Sequence, residues 1–234
     1  MNFGGFVPVS TVDWRGRAVC TLFLRGCPAR CWYCQNVDLQ TGADMRSLEE
    51  VLSLIEGSRI VVSGIVFSGG EPTMQGDVVG AIARAAHDMD LAVGIHTNGI
   101  FPGVLKSLID EGALDRVALD IKTTWDRYDD LLGIPRGEMV KQSLDLCREA
   151  WEENTLSECE AVTTVFRGHE GEISVIAREV EPLDLILQQG DCESIDPLTP
   201  DELAAIARHL PRPVRIRTRE EGETTCAAEG GMSA

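Results

Sequence analysis

Apolar stretches rich in β-branched residues alternate along the chain with segments whose apolar residues recur at helical spacing. The strand candidates are six stretches at residues 19–24, 60–67, 91–95, 116–119, 158–166 and 183–188. They are apolar almost throughout, which is typical of strands that are buried on both faces of a parallel sheet. The alternation therefore predicts an α/β fold in which a parallel sheet is covered by helices.

The segments between the strand candidates carry signals for the starts of helices. Ser47 and Glu50 have the spacing of a capping box, in which two side chains satisfy free amides of the first helical turn. Thr199 and Glu202 repeat this spacing, with Pro200 at the first helical position. Further helices are predicted at residues 77–89, 102–111, 137–153 and 170–179.

The two ends of the chain depart from this alternation. Residues 1–18 include VSTVDWRGR, which predicts a short hairpin leading into the first strand. Residues 223–234 are mostly small and polar, and they predict a disordered tail. A length of 234 residues is common for α/β barrels that form one domain. We therefore expect a single domain over residues 1–222.

Polar clusters follow four consecutive strand candidates. The cysteine-containing segment 25–36 follows the first strand, SGGEP (68–72) the second, HTNG (96–99) the third and DIK (120–122) the fourth. The carboxyl ends of parallel strands lie on one side of the sheet, where α/β proteins build their active sites. These four clusters are therefore expected to meet at one mouth.

Three cysteines in this region have the spacing CxxxCxxC: Cys27, Cys31 and Cys34. Closely spaced thiolates favour zinc or iron-sulfur clusters. A structural zinc site takes four protein ligands, and the nearby candidate for the fourth, Cys20, lies within a predicted strand. Three cysteines can instead hold three irons of a cubane cluster and leave the fourth iron open. Both interpretations remain possible on these residues, and the second is preferred.

Charge excludes some classes of partner. The net charge of -17 disfavours binding to nucleic acid or to an anionic membrane surface, because both would repel the protein. Residues 1–36 nevertheless sum to +3, so the cysteine region is basic and suits the docking of an acidic electron donor. The chain has neither a signal-peptide pattern nor an apolar run near the roughly 18 residues that span a bilayer. A cytoplasmic location is therefore expected.

Together these motifs resemble the signature of the radical S-adenosylmethionine (SAM) superfamily. The resemblance rests on CxxxCxxC, with the aromatic Tyr33 before its last cysteine, and on SGGEP, which follows one helix and one strand later. With VSTVDWRGR, HTNG, DIK, LQQ and VRIRTREEGE, the chain is similar to glycyl-radical enzyme activating enzymes, and most closely to the anaerobic ribonucleoside-triphosphate reductase activating proteins. The resemblance spans about residues 5–222 and implies a partial (β/α)6 barrel with a cluster at the carboxyl ends of its strands.

The resemblance also implies a set of site residues. Cys27, Cys31 and Cys34 would ligate a [4Fe-4S] cluster whose open iron binds SAM. The other positions implied to lie at the SAM site are Tyr33, Gly69, Gly70, Glu71, Pro72, His96, Thr97, Asn98, Asp120, Lys122, Gln188 and Gln189. Within that set, Gly69 and Gly70 would let the main chain approach the methionine moiety closely, because glycine has no side chain.

The reaction implied by the resemblance is reductive cleavage of SAM to a 5'-deoxyadenosyl radical, which takes an α-hydrogen from a glycine of a partner enzyme. The implied partner is an anaerobic ribonucleotide reductase, with flavodoxin or ferredoxin as the electron donor. Two alternatives stay open. One is a radical SAM enzyme that modifies another protein or a small molecule, and the other is a non-catalytic zinc or iron-sulfur binding module.

Overall fold

Within the described residues, the strands form one nine-stranded sheet in which each strand lies beside the strands that precede and follow it in sequence. A computed structural model describes residues 1–192 and 194–228. The strands are β1 (Phe3–Ser10), β2 (Val19–Leu24), β3 (Gly64–Gly69), β4 (Ala92–Thr97), β5 (Arg116–Asp120), β6 (Glu158–Val165), β7 (Asp184–Gln189), β8 (Val214–Thr218) and β9 (Gly222–Cys226). Neighbours from β2 to β8 run parallel, while β1 and β9 add an antiparallel strand at each edge.

Helices connect the parallel strands. They are α1 (Leu48–Ser58), α2 (Gly76–Asp88), α3 (Pro102–Asp110), α4 (Tyr128–Leu132), α5 (Gly137–Glu152), α6 (Ile173–Glu179) and α7 (Pro200–Arg208). Each strand from β2 to β7 is followed by at least one helix before the next parallel strand begins, which confirms the partial (β/α)6 barrel. The sheet is open, because β1 and β9 do not pair within the described residues. None of the described helices has the length and apolarity to cross a membrane.

The helix predictions agree with the structure more closely than the strand predictions do. The helices expected at 77–89, 102–111 and 137–153 are α2, α3 and α5, each with both ends within one residue of the prediction. The helix expected at 170–179 begins as a 3-10 turn (Glu170–Glu172) before α6. Both capping boxes are present, at the starts of α1 and α7.

One strand prediction was wrong at its start. The stretch 60–67 does not begin a strand at Ile60, because β3 runs from Gly64 to Gly69. Ile60 lies just beyond the end of α1 and is 97% exposed. Apolar residues that follow a helix have the same pattern as the start of a strand, so the sequence does not separate the two. Compared with the prediction, β3 therefore begins later in the chain and reaches Gly69, the first residue of the pair Gly69–Gly70.

The ends of the chain also differ from the prediction. The N-terminal hairpin is not confined to residues 1–18, because β1 pairs directly with β2, the first strand of the parallel sheet. Residues 223–226 are not a disordered tail, since they belong to β9, which pairs with β8. The predicted tail from residue 229 onward lies outside the described residues. β8 was not predicted, because its alternating arginines, Arg215 and Arg217, hide the apolar pattern of a buried strand.

The two faces of the sheet have different chemistry. On the convex face, alternate residues of β2, including Cys20 and Leu22, share one hydrophobic core with Val51 and Ile55 of α1. On the concave face, the fully buried Trp14 packs against apolar residues of β2 and β3. Trp14 precedes β2 in sequence, so the loop after β1 fills part of the concave side with an aromatic ring.

Beside Trp14, the concave face carries a buried network of charges. Glu160 on β6 accepts hydrogen bonds from the guanidinium groups of Arg116 on β5 and Arg215 on β8. Arg116 is 1% exposed, and Arg215 also donates to Glu223 on β9 at 2.7 Å. Burial opposes the charge of Glu160, but the two arginines outweigh it and hold the pKa of this carboxyl below its usual range. The network therefore joins four strands through paired charges.

We expect Glu160→Gln to destabilise the fold strongly. The neutral amide would leave Arg116 buried without a charge partner, and breaking a buried ion pair costs about 3–5 kcal/mol. Urea denaturation of purified protein measures this change in the free energy of unfolding. The control is Asp110→Asn, which removes an ion pair with Lys106 at the surface of α3 and should have little effect. Equal small effects of both substitutions would contradict the prediction.

Candidate active site

A cavity of about 350 Å³ opens at the carboxyl ends of the parallel strands. Most of the predicted site residues line it. They are Cys27, Cys31, Tyr33, Cys34, Gly69, Gly70, Glu71, His96, Thr97, Asn98, Asp120, Lys122 and Gln188. The structure thus brings together residues from five strands, β2 to β5 and β7, and from the loops that follow them.

Two predicted site residues do not line this cavity. Pro72 is buried at the first position of the 3-10 turn Pro72–Gln75 that follows β3. Gln189 donates from Nε2 to the Leu198 carbonyl at 2.7 Å and accepts from the Arg219 amide at 2.9 Å. Adjacent residues of a strand point to opposite faces, so Gln188 meets the cavity while Gln189 ties two loops together.

The cavity also has polar lining residues that the sequence analysis missed, among them Asp13, Asn36, Thr164 and Arg217. Strand alternation could have indicated Thr164, which is two residues beyond Val162 on β6. Arg217 could have been found only by recognising β8. Asp13 lies in the loop after β1, where no periodic pattern exists, so the sequence contains no signal for its position.

Hydrogen bonds to backbone carbonyl groups fix the shape of the cysteine loop, residues 25–36. The guanidinium of Arg30 donates to the carbonyls of Cys27 at 2.8 Å and Ala29 at 3.0 Å. The amide of Cys27 donates to the Gln40 carbonyl at 3.1 Å, and the amide of Cys34 donates to the Cys31 carbonyl at 3.2 Å. These bonds hold the three cysteines on one wall of the cavity, although they are spread over eight residues.

The donor set fits an iron-sulfur cluster with three protein ligands. Cys20 faces the helices and does not reach the cavity. In the part of the chain that the structure describes, no three His, Cys, Asp or Glu side chains are placed to hold a single metal ion. Ligands of a cubane cluster bind different irons and do not converge on one point. Burial raises the pKa of the Cys27 thiol to about 11, so a bound metal centre is needed to keep it a thiolate at neutral pH.

The glycine pair lies directly against the cysteine loop. Gly69 has φ +115°, and a Cβ atom there would lie 2.4 Å from the Leu24 carbonyl oxygen. A Cβ atom on Gly70 would lie 2.3 Å from the carbonyl oxygen of Gly26. Neither position accepts a side chain without displacing the backbone. The absence of side chains at these two positions therefore lets the end of β3 pack directly against the backbone before the cysteines, and both glycines line the cavity.

The carboxylate of Glu71 joins the loops that follow β3 and β4. Its Oε1 accepts from the Thr73 amide at 3.0 Å, from the Thr73 hydroxyl, and from the Thr97 hydroxyl at 2.7 Å. Its Oε2 accepts from the Asn98 amide at 2.8 Å. Burial raises the pKa of this carboxyl, and the four donors oppose that effect. Glu71 is thus largely occupied by protein donors, with acceptor capacity left on Oε2.

A cation and an anion lie together at the end of β5. Lys122 Nζ is 3.0 Å from Asp120 Oδ2 and 5.8 Å from the centre of the Tyr33 ring. Burial disfavours the charge of Lys122, but Asp120 more than offsets it and raises the pKa of this amine well above its usual value. Lys122 therefore remains cationic at the cavity wall.

His96 is a neutral group in the middle of the concave face. Its Nε2 lies 3.1 Å from the Asp13 carbonyl oxygen and 3.3 Å from Arg116 Nη1. Burial, reinforced by the charge of Arg116, lowers the pKa of His96 to about 4. The imidazole is therefore uncharged at pH 7, and it separates Arg116 from the open cavity.

The protonation of His96 predicts a pH dependence of stability. Between about pH 6.5 and pH 4 the unfolded chain binds a proton that the folded protein does not, so stability falls as the pH is lowered through this range. The expected slope from this group is about 1.4 kcal/mol per pH unit. Denaturant titrations at several pH values should show a shallower slope for His96→Gln than for wild type. The control is His209→Gln at an exposed histidine. If His96→Gln left the slope of stability against pH unchanged, the lowered pKa of His96 would be contradicted.

Comparisons with known proteins agree with this site. Residues 21–178 match the Radical SAM superfamily. Over 188 residues the chain is 35% identical to a protein of Methanocaldococcus jannaschii that is named, provisionally, a glycyl-radical enzyme activating enzyme, with 77% of this chain and 76% of that protein covered. A protein of Haemophilus influenzae with the same provisional name is 25% identical over 184 residues, which cover 70% of this chain and 69% of that protein.

A solved structure of TYW1 with a bound lysine-pyruvate adduct shares the fold, with a TM-score of 0.65 at 14% sequence identity. The similarity covers 90% of this chain and 80% of that one. These findings confirm the family that the motifs indicate. The chain belongs to the radical SAM superfamily and is related, within it, to glycyl-radical enzyme activating enzymes.

Proposed function

We propose that the protein is an activase that uses SAM to generate a 5'-deoxyadenosyl radical and removes an α-hydrogen from a glycine of a partner enzyme. The observation that carries this proposal is one cavity that combines three cysteines, a glycine main chain and the partly exposed ion pair of Lys122 with Asp120. The chain that forms it is 35% identical to a relative with an activating-enzyme name. Membership of the superfamily implies a [4Fe-4S] cluster and SAM.

In this proposal Cys27, Cys31 and Cys34 hold the cluster and leave one iron for SAM. A cluster held there would supply, when reduced, the one electron that SAM needs for cleavage into methionine and the 5'-deoxyadenosyl radical. Arg30 braces the loop by binding two of its carbonyls, and its positive charge favours a more negative centre nearby. The loop is thus held in shape by contacts that do not use the thiolates.

The other cavity residues are suited to bind and orient SAM. Gly69 and Gly70 line the cavity beside the cysteines, so their main-chain groups are placed to contact the methionine moiety. Lys122 presents a cation for the carboxylate, and the partly exposed Asp120 can accept from ribose hydroxyls. Tyr33, held under Lys122, would place its backbone near the adenine. Glu71 acts chiefly by fixing the two loops around these groups.

The depth of the cavity limits where the partner glycine can bind. Trp14 and the paired charges around Glu160 fill the concave side below the mouth. A substrate segment must therefore react near the carboxyl ends of the strands, where SAM would lie. Glycine suits such a site because it has no side chain that needs space and its radical is stabilised by the neighbouring amides. The filled interior also keeps water away from the reacting atoms.

We further propose that the partner is an anaerobic ribonucleotide reductase and that flavodoxin or ferredoxin supplies the electron. The first point rests on the combination of VSTVDWRGR, HTNG and VRIRTREEGE along the chain. The second rests on positive charge near the cysteine loop. Arg30 lies in that loop and is exposed, whereas Arg17 precedes β2, about 20 Å away at the other end of the strand. Arg15 forms an ion pair with Glu223 at 3.9 Å.

The first test is the formation of 5'-deoxyadenosine by anaerobic protein that has been reconstituted with iron and sulfide and reduced. We expect product from wild type and none from Cys31→Ala, because the variant lacks one cluster ligand. Cys226→Ala, which changes a cysteine of the edge strand β9, should behave as wild type. Protein that binds one zinc and no iron would instead support the non-catalytic module.

The partner is tested in the same reaction by adding a purified anaerobic ribonucleotide reductase labelled with α-deuterated glycine. The proposal predicts a glycyl radical signal in electron paramagnetic resonance (EPR) and deuterium in 5'-deoxyadenosine. Product that forms without deuterium and without a glycyl radical would favour a radical SAM enzyme with another substrate.

The docking of an acidic donor gives a separate prediction. Arg30→Gln should lower the rate of cluster reduction by flavodoxin at low ionic strength, because charge steering contributes to association, and added salt should reduce the difference. Arg17→Gln is the matched control, since its guanidinium stacks on Trp14 away from the cysteine loop. Iron content is measured in both variants. Equal reduction rates in wild type and Arg30→Gln would contradict the docking of the donor near Arg30.

A further inference from the structure

We infer that Asn98 is a positioning residue that donates a hydrogen bond to the Cys27 sulfur and thereby raises the reduction potential of the cluster. The inference rests on the proposed function, because it requires a cluster at Cys27. It assigns to Asn98 a role toward the iron-sulfur centre, beyond the contact with SAM that the family resemblance implies.

The geometry fixes which atom of Asn98 faces the sulfur. Nδ2 lies 3.6 Å from Cys27 Sγ, a suitable distance for a hydrogen bond to an atom as large as sulfur. Oδ1 of the same amide accepts from the Ile100 amide at 3.1 Å. Turning the amide over would place its NH2 group against the Ile100 N–H and its oxygen against the thiolate. The orientation is therefore determined by its hydrogen bonds.

The backbone of Asn98 is held as firmly as its side chain. Its amide donates to Glu71 Oε2 at 2.8 Å, and the Thr97 hydroxyl lies within hydrogen-bond distance of both Glu71 and the Gly99 amide. Ser143 on α5 donates to the Gly99 carbonyl at 2.6 Å. Asn98 is 6% exposed, so solvent does not compete for its amide. The donor is preorganised before any cluster binds.

A fixed N–H donor favours the reduced form of a cluster over the oxidised form. Reduction adds negative charge that is shared by the thiolate sulfurs, and hydrogen bonds to those sulfurs are among the factors that set the potential. The effect is larger in a buried site than in water, because the low dielectric strengthens the interaction. Loss of the donor should therefore make the cluster harder to reduce.

The experiment is an anaerobic redox titration monitored by EPR, with iron and sulfide measured for every variant. Asn98→Leu removes the donor without adding charge, and Asn98→Asp replaces it with a repelling oxygen. We expect both variants to have a more negative midpoint potential. A tenfold fall in the equilibrium constant for one-electron reduction corresponds to about 59 mV. The larger shift is expected for Asn98→Asp.

Asn36→Asp is the matched control for added charge. Asn36 lines the same cavity, but its Nδ2 donates to the Gly69 carbonyl at 3.1 Å and not to sulfur. A wild-type potential in cluster-loaded Asn98→Leu would overturn the inference. If that variant does not hold a cluster, equal potentials for Asn98→Asp and Asn36→Asp would overturn it instead.

The same measurements separate this inference from the proposed function. Wild-type protein that assembles no cluster would overturn the proposed function together with the inference. A full cluster and normal SAM cleavage, combined with an unchanged potential in Asn98→Leu, would overturn the inference alone. A more negative potential at unchanged iron content supports it, because a purely structural role of Asn98 would appear as loss of cluster.

Discussion

The pairing of Glu160 with two arginines is the interaction on which the shape of the concave face depends. Arg116, Glu160 and Arg215 project from three different strands, and none could be buried alone without a large desolvation penalty. Paired, they fill the space that apolar side chains occupy in a conventional barrel core. Side chains therefore fill the interior on the Arg116 side of His96, and the cavity opens on the side of the cysteine loop. The cavity exists only at the end of the sheet that carries the cysteine loop.

Glu71 has a corresponding role at the mouth. Parallel strands place their loops side by side, but they do not fix the distance between them. One carboxylate with donors from the turn after β3 and from the end of β4 supplies that link, and Asn98 extends it to Cys27. The glycine pair and the cysteine loop are then in direct contact. The loops after β3 and β4 form one site with the cysteine loop because the buried carboxylate of Glu71 joins them.

Much of this arrangement could be predicted from the sequence. The period of the apolar residues indicated the α/β order, and the motifs after β2 to β5 indicated one mouth. The concave network could not be predicted, because Arg116 and Arg215 look like surface residues until their partners on other strands are known. Asp13 and Trp14 have no periodic signal, since they reach the interior from a loop. Gln189 was misplaced, because only the strand register separates it from Gln188.

The open sheet affects how the mouth can change its width. A closed barrel has backbone hydrogen bonds around its full circumference, so it can expand only by breaking them. Here β1 and β9 remain apart in the described chain, and one contact between the two edges is the ion pair of the half-exposed Arg15 with Glu223 at 3.9 Å. Such a pair contributes at most about 1 kcal/mol. Widening the mouth to admit a polypeptide loop would therefore break no backbone ladder of the sheet. Its cost would lie in side-chain contacts across the concave face, such as the bond from the Trp14 indole to Glu158 at 3.0 Å and the bond from Arg116 to the Asp13 carbonyl at 3.0 Å.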